Sequence, residues 1–261
     1  MGKVYAIINQ KGGVGKTTTV FNMAAEMAEQ GKKVLTIDMD PQGSLTTSMG
    51  QVPSELEFTI GDLFMELIDR KPLPDIKDYI LSRGKVEYIP ANLTLSVADA
   101  SMQRVIVARE YLLKKIIAPL RTLYDYIIID CPPTLGSLVV NALTASDALI
   151  VPVKSNDMDT KGFESLIDTV EMIKMETNPN LKIVGVLLTM FDERLLEARE
   201  VLKGLKESCE YFRIPLYQAK IGTSTKAARA FRQRKTIAEF DASSKISLSY
   251  KEFVREVLAD E

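Results

Sequence analysis

Eight consecutive positions, Lys11-Gly12-Gly13-Val14-Gly15-Lys16-Thr17-Thr18, hold three glycines, two lysines and two threonines. A run of this kind is suited to phosphate. Glycines let the backbone curl so that successive N–H groups point inward at phosphate oxygens, and a helix beginning at the end of the loop adds partial positive charge. Lys16 is placed to reach the β- and γ-phosphates of a nucleotide, and the Thr17 hydroxyl to ligate Mg²⁺. Three aspartates complete the set. Asp38 and Asp40 close the run Thr36-Ile37-Asp38-Met39-Asp40-Pro41-Gln42, two residues apart and so on one face of an extended chain. Asp130 ends Tyr126-Ile127-Ile128-Ile129-Asp130, four apolar residues closing on a carboxylate that can be delivered to Mg²⁺ through a water. The chain has no histidine, which excludes a Ser-His-Asp triad, an imidazole base and any His-ligated zinc or haem. Its two cysteines, Cys131 and Cys209, cannot build a four-cysteine metal site within one chain. Phosphoryl transfer tolerates this poverty, because it needs chiefly positioning and charge neutralisation.

These residues need a scaffold that delivers strand ends to one edge. Val4–Ile8, Val34–Ile37, Tyr126–Ile129, Ala148–Val153 and Ile183–Leu188 are nearly continuous apolar runs, as expected of strands buried on both faces; Val86–Ile89 is a weaker one. Helical patterns fall between them at about 17–30, 59–69, 98–122, 160–177 and 193–211, with a last one at about 247–259. The alternation predicts a mostly parallel twisted α/β sheet with helices on both faces, and the 261 residues are read as one domain. The stretch 50–85 is the expected irregular excursion, carrying Pro53, Pro72 and Pro74. Carboxylates at the carboxyl ends of buried strands stand where open α/β sheets bind ligands.

The ordinary phosphate-loop pattern places Gly where this chain has Gln10, and a second lysine, Lys11, opens the loop instead. Lys11-Gly-Gly-Val-Gly-Lys-Thr-Thr resembles the deviant Walker A motif of the ParA/MinD superfamily of P-loop ATPases. Asp38-Met-Asp-Pro-Gln and Asp130-Cys-Pro-Pro-Thr through Asn141 and Asp147 are similar to further ParA motifs, as are Ile89-Pro-Ala-Asn92 and Leu188-Thr-Met-Phe-Asp192. The resemblance covers essentially the whole chain. It implies a nucleotide-sandwich homodimer driven by ATP and Mg²⁺, in which Lys11 crosses to the partner's phosphates; simple local positive potential is the alternative for Lys11. It further implies that Asp40 orients the attacking water, that Asp38 supports the Mg²⁺ shell with Thr17 and Asp130, and that turnover is slow, ~10⁻³ s⁻¹ by analogy with unassisted switches. Two places depart from the family. Lys154-Ser155-Asn156-Asp157 replaces a Gln/Glu-Tyr segment, and Ile221-Gly222-Thr223-Ser224 replaces an Ile-Pro-Arg turn that frames adenine, leaving Gly222 and Ser224 as the expected base contacts.

A net charge of −2 conceals segregation: from Tyr217 to Ala238 there are six basic residues and no acidic one. Lys226, Arg229 and Arg232 recur at i, i+3 and i+6, and with Lys220 they suit sequence-independent contact with DNA phosphates. The resemblance assigns DNA contact to Arg194 and Lys226, and implies a ParB-like centromere-binding partner that stimulates hydrolysis. A MinD-like membrane-cycling or protein-cargo-positioning ATPase is the rival reading. The C-terminal segment Lys251–Glu261 is net acidic, which disfavours anionic lipid, and Phe253, Val254 and Val257 are expected to pack onto the domain. An iron–sulfur reductase is disfavoured by the placing of the cysteines, and a non-hydrolysing adaptor by Asp40. With no signal-like or bilayer-spanning run, the expected location is the cytoplasm, on the nucleoid when ATP is bound.

Overall fold

A computed structural model describes residues 1–155 and 160–259. Its eight strands are β1 (Lys3–Ile7), β2 (Val34–Asp38), β3 (Leu81–Arg83), β4 (Val86–Ile89), β5 (Tyr126–Asp130), β6 (Ala148–Lys154), β7 (Lys182–Phe191) and β8 (Leu216–Gly222). They form one sheet in the order β3-β4-β2-β5-β1-β6-β7-β8. Every pairing is parallel except the edge hairpin of β3 with β4. β1 lies between β5 and β6, so the chain order reverses there, and the loop following β1 opens into the crevice where such sheets bind ligands.

The helices are α1 (Lys16–Glu29), α2 (Ser44–Ser48), α3 (Ile60–Ile68), α4 (Thr94–Ser101), α5 (Leu112–Ile117), α6 (Ser137–Ala145), α7 (Thr160–Glu176), α8 (Leu196–Phe212), α9 (Thr225–Arg232), α10 (Ile237–Asp241) and α11 (Lys245–Ala259). Side chains alternate across the central strands. Val4, Ala6, Ile127 and Ile129 join one core with α3 to α8, whereas Tyr5, Ile7, Tyr126 and Ile128 join a second with α1 and α11. Both faces are dry, which is why these strands read as continuous apolar runs.

Among the elements that differ from the expectation, three have a clear physical reason. The single helix over 98–122 is broken. α4 ends at Ser101, Val105-Ile106-Val107 runs irregularly, Ala108 takes a left-handed φ of 61°, and α5 starts only at Leu112. Three consecutive β-branched residues are poor helix formers, and Ile106 is 96% exposed, so no packing compensates. β8 escapes sequence reading because it is an edge strand whose burial alternates along the chain instead of forming an apolar run. α6 escapes it for the opposite reason: seven of its nine residues are buried, its polar Asn141 and Thr144 among them, and it carries no charged residue to mark a solvent face. Of the Lys154–Asp157 departure, Asn156 and Asp157 lie outside the described residues, as do Asp260 and Glu261 of the acidic C-terminal segment.

Candidate nucleotide site and basic surface

The loop between β1 and α1 is held open from behind. Asn9 donates Nδ2 to the Pro152 carbonyl (2.7 Å) and accepts the Lys11 amide on Oδ1 (2.9 Å). Thr189, fully buried in β7, donates Oγ1 to the Val14 carbonyl at 2.8 Å. Gly15 sits at φ 90°, a conformation that L side chains rarely adopt, and its carbonyl accepts the first α-helical bond from Thr19 (2.8 Å). A Cβ built on Gly12 or Gly13 would meet nothing within 4 Å, so the inner side of the loop is open space. Sequence reasoning passed over Asn9 and Thr189 as actors; their positions beside the loop and in the Leu-Thr-Met-Phe-Asp run were the available signals.

Lys16 is buried and points back over the loop, donating Nζ to the carbonyls of Asn9 (3.0 Å) and Lys11 (3.1 Å). Burial lowers its pKa, and the nearby Asp130 carboxylate opposes that shift. Val14 is buried; Thr17 and Thr18 are half-buried in the first turn of α1, and Lys11 is half-buried at the mouth of the loop.

Asp38 and Asp130 are register partners at the ends of adjacent strands β2 and β5. Their surroundings differ. Asp38 accepts the Thr46 amide and hydroxyl on Oδ2 (2.8 and 2.7 Å) and the Asp40 amide on Oδ1 (3.1 Å). Burial nevertheless pushes its pKa up to about 6. Both Asp130 oxygens are buried without a hydrogen-bond partner. Burial, reinforced by Asp38, raises its pKa well above the usual range, while the Thr17 hydroxyl and Lys16 ammonium act the other way. A carboxylate lacking donors beside a hydroxyl and a glycine loop fits a cation or its water. The donors that fill Asp38 fit a role in holding the turn. The expectation that Asp38 and Asp40 share a face of one extended strand is corrected: β2 stops at Asp38, and Asp40 begins a turn in which its Oδ1 accepts the Gln42 amide at 2.9 Å. Gly43, at φ 63°, completes that turn where a Cβ would lie 2.7 Å from Pro53 Cγ and 3.0 Å from the Ala91 carbonyl. Burial drives the Cys131 thiol pKa far upward, so it is an inert neighbour of the site.

A cleft of about 810 Å³ opens from Gly15 and Thr18 toward the ends of β7 and β8, reaching Gly222 and Ser224. The Ser224 hydroxyl caps α9 by accepting the Lys226 amide at 3.1 Å. The basic segment is helical over α9, where Lys226, Arg229 and Arg232 are exposed as expected. Arg232 also lines the cleft. Lys220 is half-buried, its ammonium 5.8 Å from the Phe191 ring centre. Two charges are less free than the sequence count suggests. Lys226 is paired with Asp241 at 2.5 Å, just beyond the segment, and Arg234 donates to the Gly50 carbonyl at 2.9 Å. Arg194 follows β7 on the neighbouring loop, its side chain 84% exposed and bound to both oxygens of Asp192.

Residues 2–183 match the family of AAA domains. Over the full length of both chains the protein is 38% identical to the sporulation initiation inhibitor protein Soj of Bacillus subtilis. The chain belongs to the ParA/Soj family. The chromosome partitioning protein ParA of Myxococcus xanthus is 33% identical, with 99% of this chain and 88% of that protein covered. Among solved structures, a Mycobacterium smegmatis protein described as cobyrinic acid a,c-diamide synthase, with bound ATP analogue and magnesium, superposes with a TM-score of 0.85. It is 32% identical, over 99% of this chain and 95% of that one.

Proposed function

We propose that the protein is a DNA-partitioning ATPase. It binds Mg²⁺-ATP, forms a sandwich dimer, holds DNA non-specifically in that state and releases it after slow, partner-stimulated hydrolysis. The observation that carries the reading is that α9, which presents Lys226 and Arg229 to solvent, also forms a wall of the cleft beside the phosphate loop. One short helix thereby adjoins both the nucleotide and the basic surface. The full-length similarity to Soj and ParA, and the ATP analogue with magnesium in a structural relative, support it.

In this reading Mg²⁺, when bound, supplies positive charge to the terminal phosphates. Asp130 and Thr17 hold that ion or its water, and Asp38 contributes negative charge behind them while its hydrogen bonds fix the turn. Lys16 exchanges the Asn9 and Lys11 carbonyls for phosphate oxygens. Asp40 orients the attacking water, and Lys11 neutralises phosphate charge on the partner subunit. The apolar side of α11 supports packing in place of a membrane role: Phe253, Val254 and Val257 are buried in the core shared with α1. Among the described residues, no helix is long and apolar enough to cross a membrane.

The test is DNA co-sedimentation with ATP, ADP or no nucleotide across a salt series. Binding is expected with ATP alone and falls steeply with salt, and a Lys226→Glu, Arg229→Glu variant loses both affinity and part of the salt slope. Equal binding in all three nucleotide conditions, or an unchanged double variant, refutes the reading.

A further inference from the structure

The cleft beside the loop is bounded on its far side by α9, which contributes Ala227, Ala228, Phe231 and Arg232. Two aromatic residues line it. Tyr250 is a fixed part of the wall: it is 4% exposed, and its hydroxyl lies 3.5 Å from that of Thr19. Phe231 is different, standing 42% exposed on a helix anchored by the buried Ala230. Its ring therefore lines the cleft with surface still uncovered.

We propose that Phe231 stacks on the nucleobase and is the principal base-binding side chain of this chain. The proposal rests on the loop being the phosphate cradle of a nucleotide. The cleft begins at Gly15 and Thr18 of the loop and its first helical turn, so a nucleotide with its phosphates there has room to extend its base along it. The wall there is mainly carbon, from Ile221, Ala227, Ala228 and Ile246, and no carboxylate or amide side chain lines it. Recognition by edge hydrogen bonds from such side chains is thus absent among the described residues, leaving the Arg232 guanidinium, the hydroxyls lining the cleft and the backbone groups of Thr223 to Thr225. Stacking supplies affinity without reading the base edge, because every base has a π-face. Base selectivity is accordingly low, and α9 carries a nucleotide side in Phe231 alongside a basic side in Lys226 and Arg229.

The chain contains no tryptophan, so Phe231→Trp creates a single fluorophore at the site. Titrated with Mg²⁺-ADP, its emission is expected to quench; tripolyphosphate with Mg²⁺ leaves it unchanged. By calorimetry, Phe231→Ala weakens ADP about tenfold, within the range of base–aromatic stacking, and leaves tripolyphosphate unaffected. Phe231→Leu, which keeps the apolar bulk and the fold, loses nearly as much as Phe231→Ala if the ring face matters. Wild-type ADP and GDP affinities fall within about tenfold of each other. A leucine variant that binds ADP like wild type, or a tryptophan that stays silent while ADP binds, overturns the stacking role and leaves the phosphate cradle standing. A wild-type chain that binds neither ADP nor tripolyphosphate overturns the cradle and the proposal with it.

Discussion

Thr46 ties together the segment that carries Asp40, and replacing it isolates that contribution. It is fully buried; its hydroxyl donates to Asp38 Oδ2 at 2.7 Å and accepts the Ala91 amide at 2.9 Å, so one side chain joins the end of β2, the start of α2 and the end of β4. Thr46→Val keeps the shape and removes both bonds. A lost hydrogen bond to a charged acceptor costs about 1.5–3 kcal/mol, and the stranded Ala91 amide about 1–3 kcal/mol more. The sum centres on about 4 kcal/mol. Thr46→Ser keeps the hydroxyl and loses one buried methyl, worth about 1 kcal/mol. For 261 residues, an unfolding entropy of about 2.1 cal/mol/K per residue turns these into Tm decreases of about 7 °C and about 2 °C. Urea unfolding without nucleotide, followed by circular dichroism, measures the same differences with unchanged m-values. Turnover of the valine variant also falls, because Asp38 Oδ1 holds the Asp40 amide at 3.1 Å. A valine variant within about 1 kcal/mol of wild type, or a serine variant as damaged as the valine one, refutes the reasoning.

Asp130→Asn is expected to act with opposite signs on two properties. It stabilises the protein without nucleotide by removing a buried charge that lacks donors, and it abolishes the Mg²⁺ dependence of ATP affinity; thermal shift with and without Mg²⁺-ATP reads both. Asp38 and Asp130 both have raised pKa values, so the folded state binds more protons than the unfolded one; stability without nucleotide should fall as pH rises from about 4 through about 6, and urea midpoints across that range check the sign. Asp241→Asn releases Lys226 from its 2.5 Å pair and should strengthen DNA binding at low salt, an effect visible in fluorescence anisotropy and erased at high salt. Lys11→Ala should retain ADP binding and lose the ATP-dependent dimer in analytical ultracentrifugation; persistence of that dimer removes the lysine from the partner's site.

The parts of the fold that were legible in the sequence are those in which one physical demand fixes the residue types. Val4–Ile8 and Tyr126–Ile129 read as strands because both faces of each are buried, and the phosphate loop reads as one because the positive φ of Gly13 (72°) and Gly15 (90°) calls for glycine. Phe231, an exposed aromatic on a basic helix, carried no sign of the cleft beneath it. The partners were harder to read. Asp241 stands three residues beyond the basic segment, and only the turn between α9 and α10 brings it onto Lys226. Thr46 gave no signal, since one hydroxyl residue among Ser44, Thr47 and Ser48 has no diagnostic spacing. Asp38 and Asp130 lie 92 residues apart in sequence and become neighbours only through the β2–β5 pairing.

That pairing explains how a site without histidine can still respond sharply to its ligand. Burial raises the pKa of both carboxylates, the neighbouring Asp38 adds to the rise at Asp130, and burial lowers the pKa of Lys16, so the fold works against the ordinary charge state of each group. Under the proposed function, a divalent cation near Asp130 and phosphates near Lys16 would each favour the charged form of the group they meet, so their binding is expected to be coupled. Asp38 stands beside Asp130 at the strand ends, and its oxygens grip Thr46 and the amide of Asp40. Asp130 is thus linked, through its strand neighbour Asp38 and three hydrogen bonds and without an imidazole, to the turn that carries Asp40, the residue proposed to orient the attacking water.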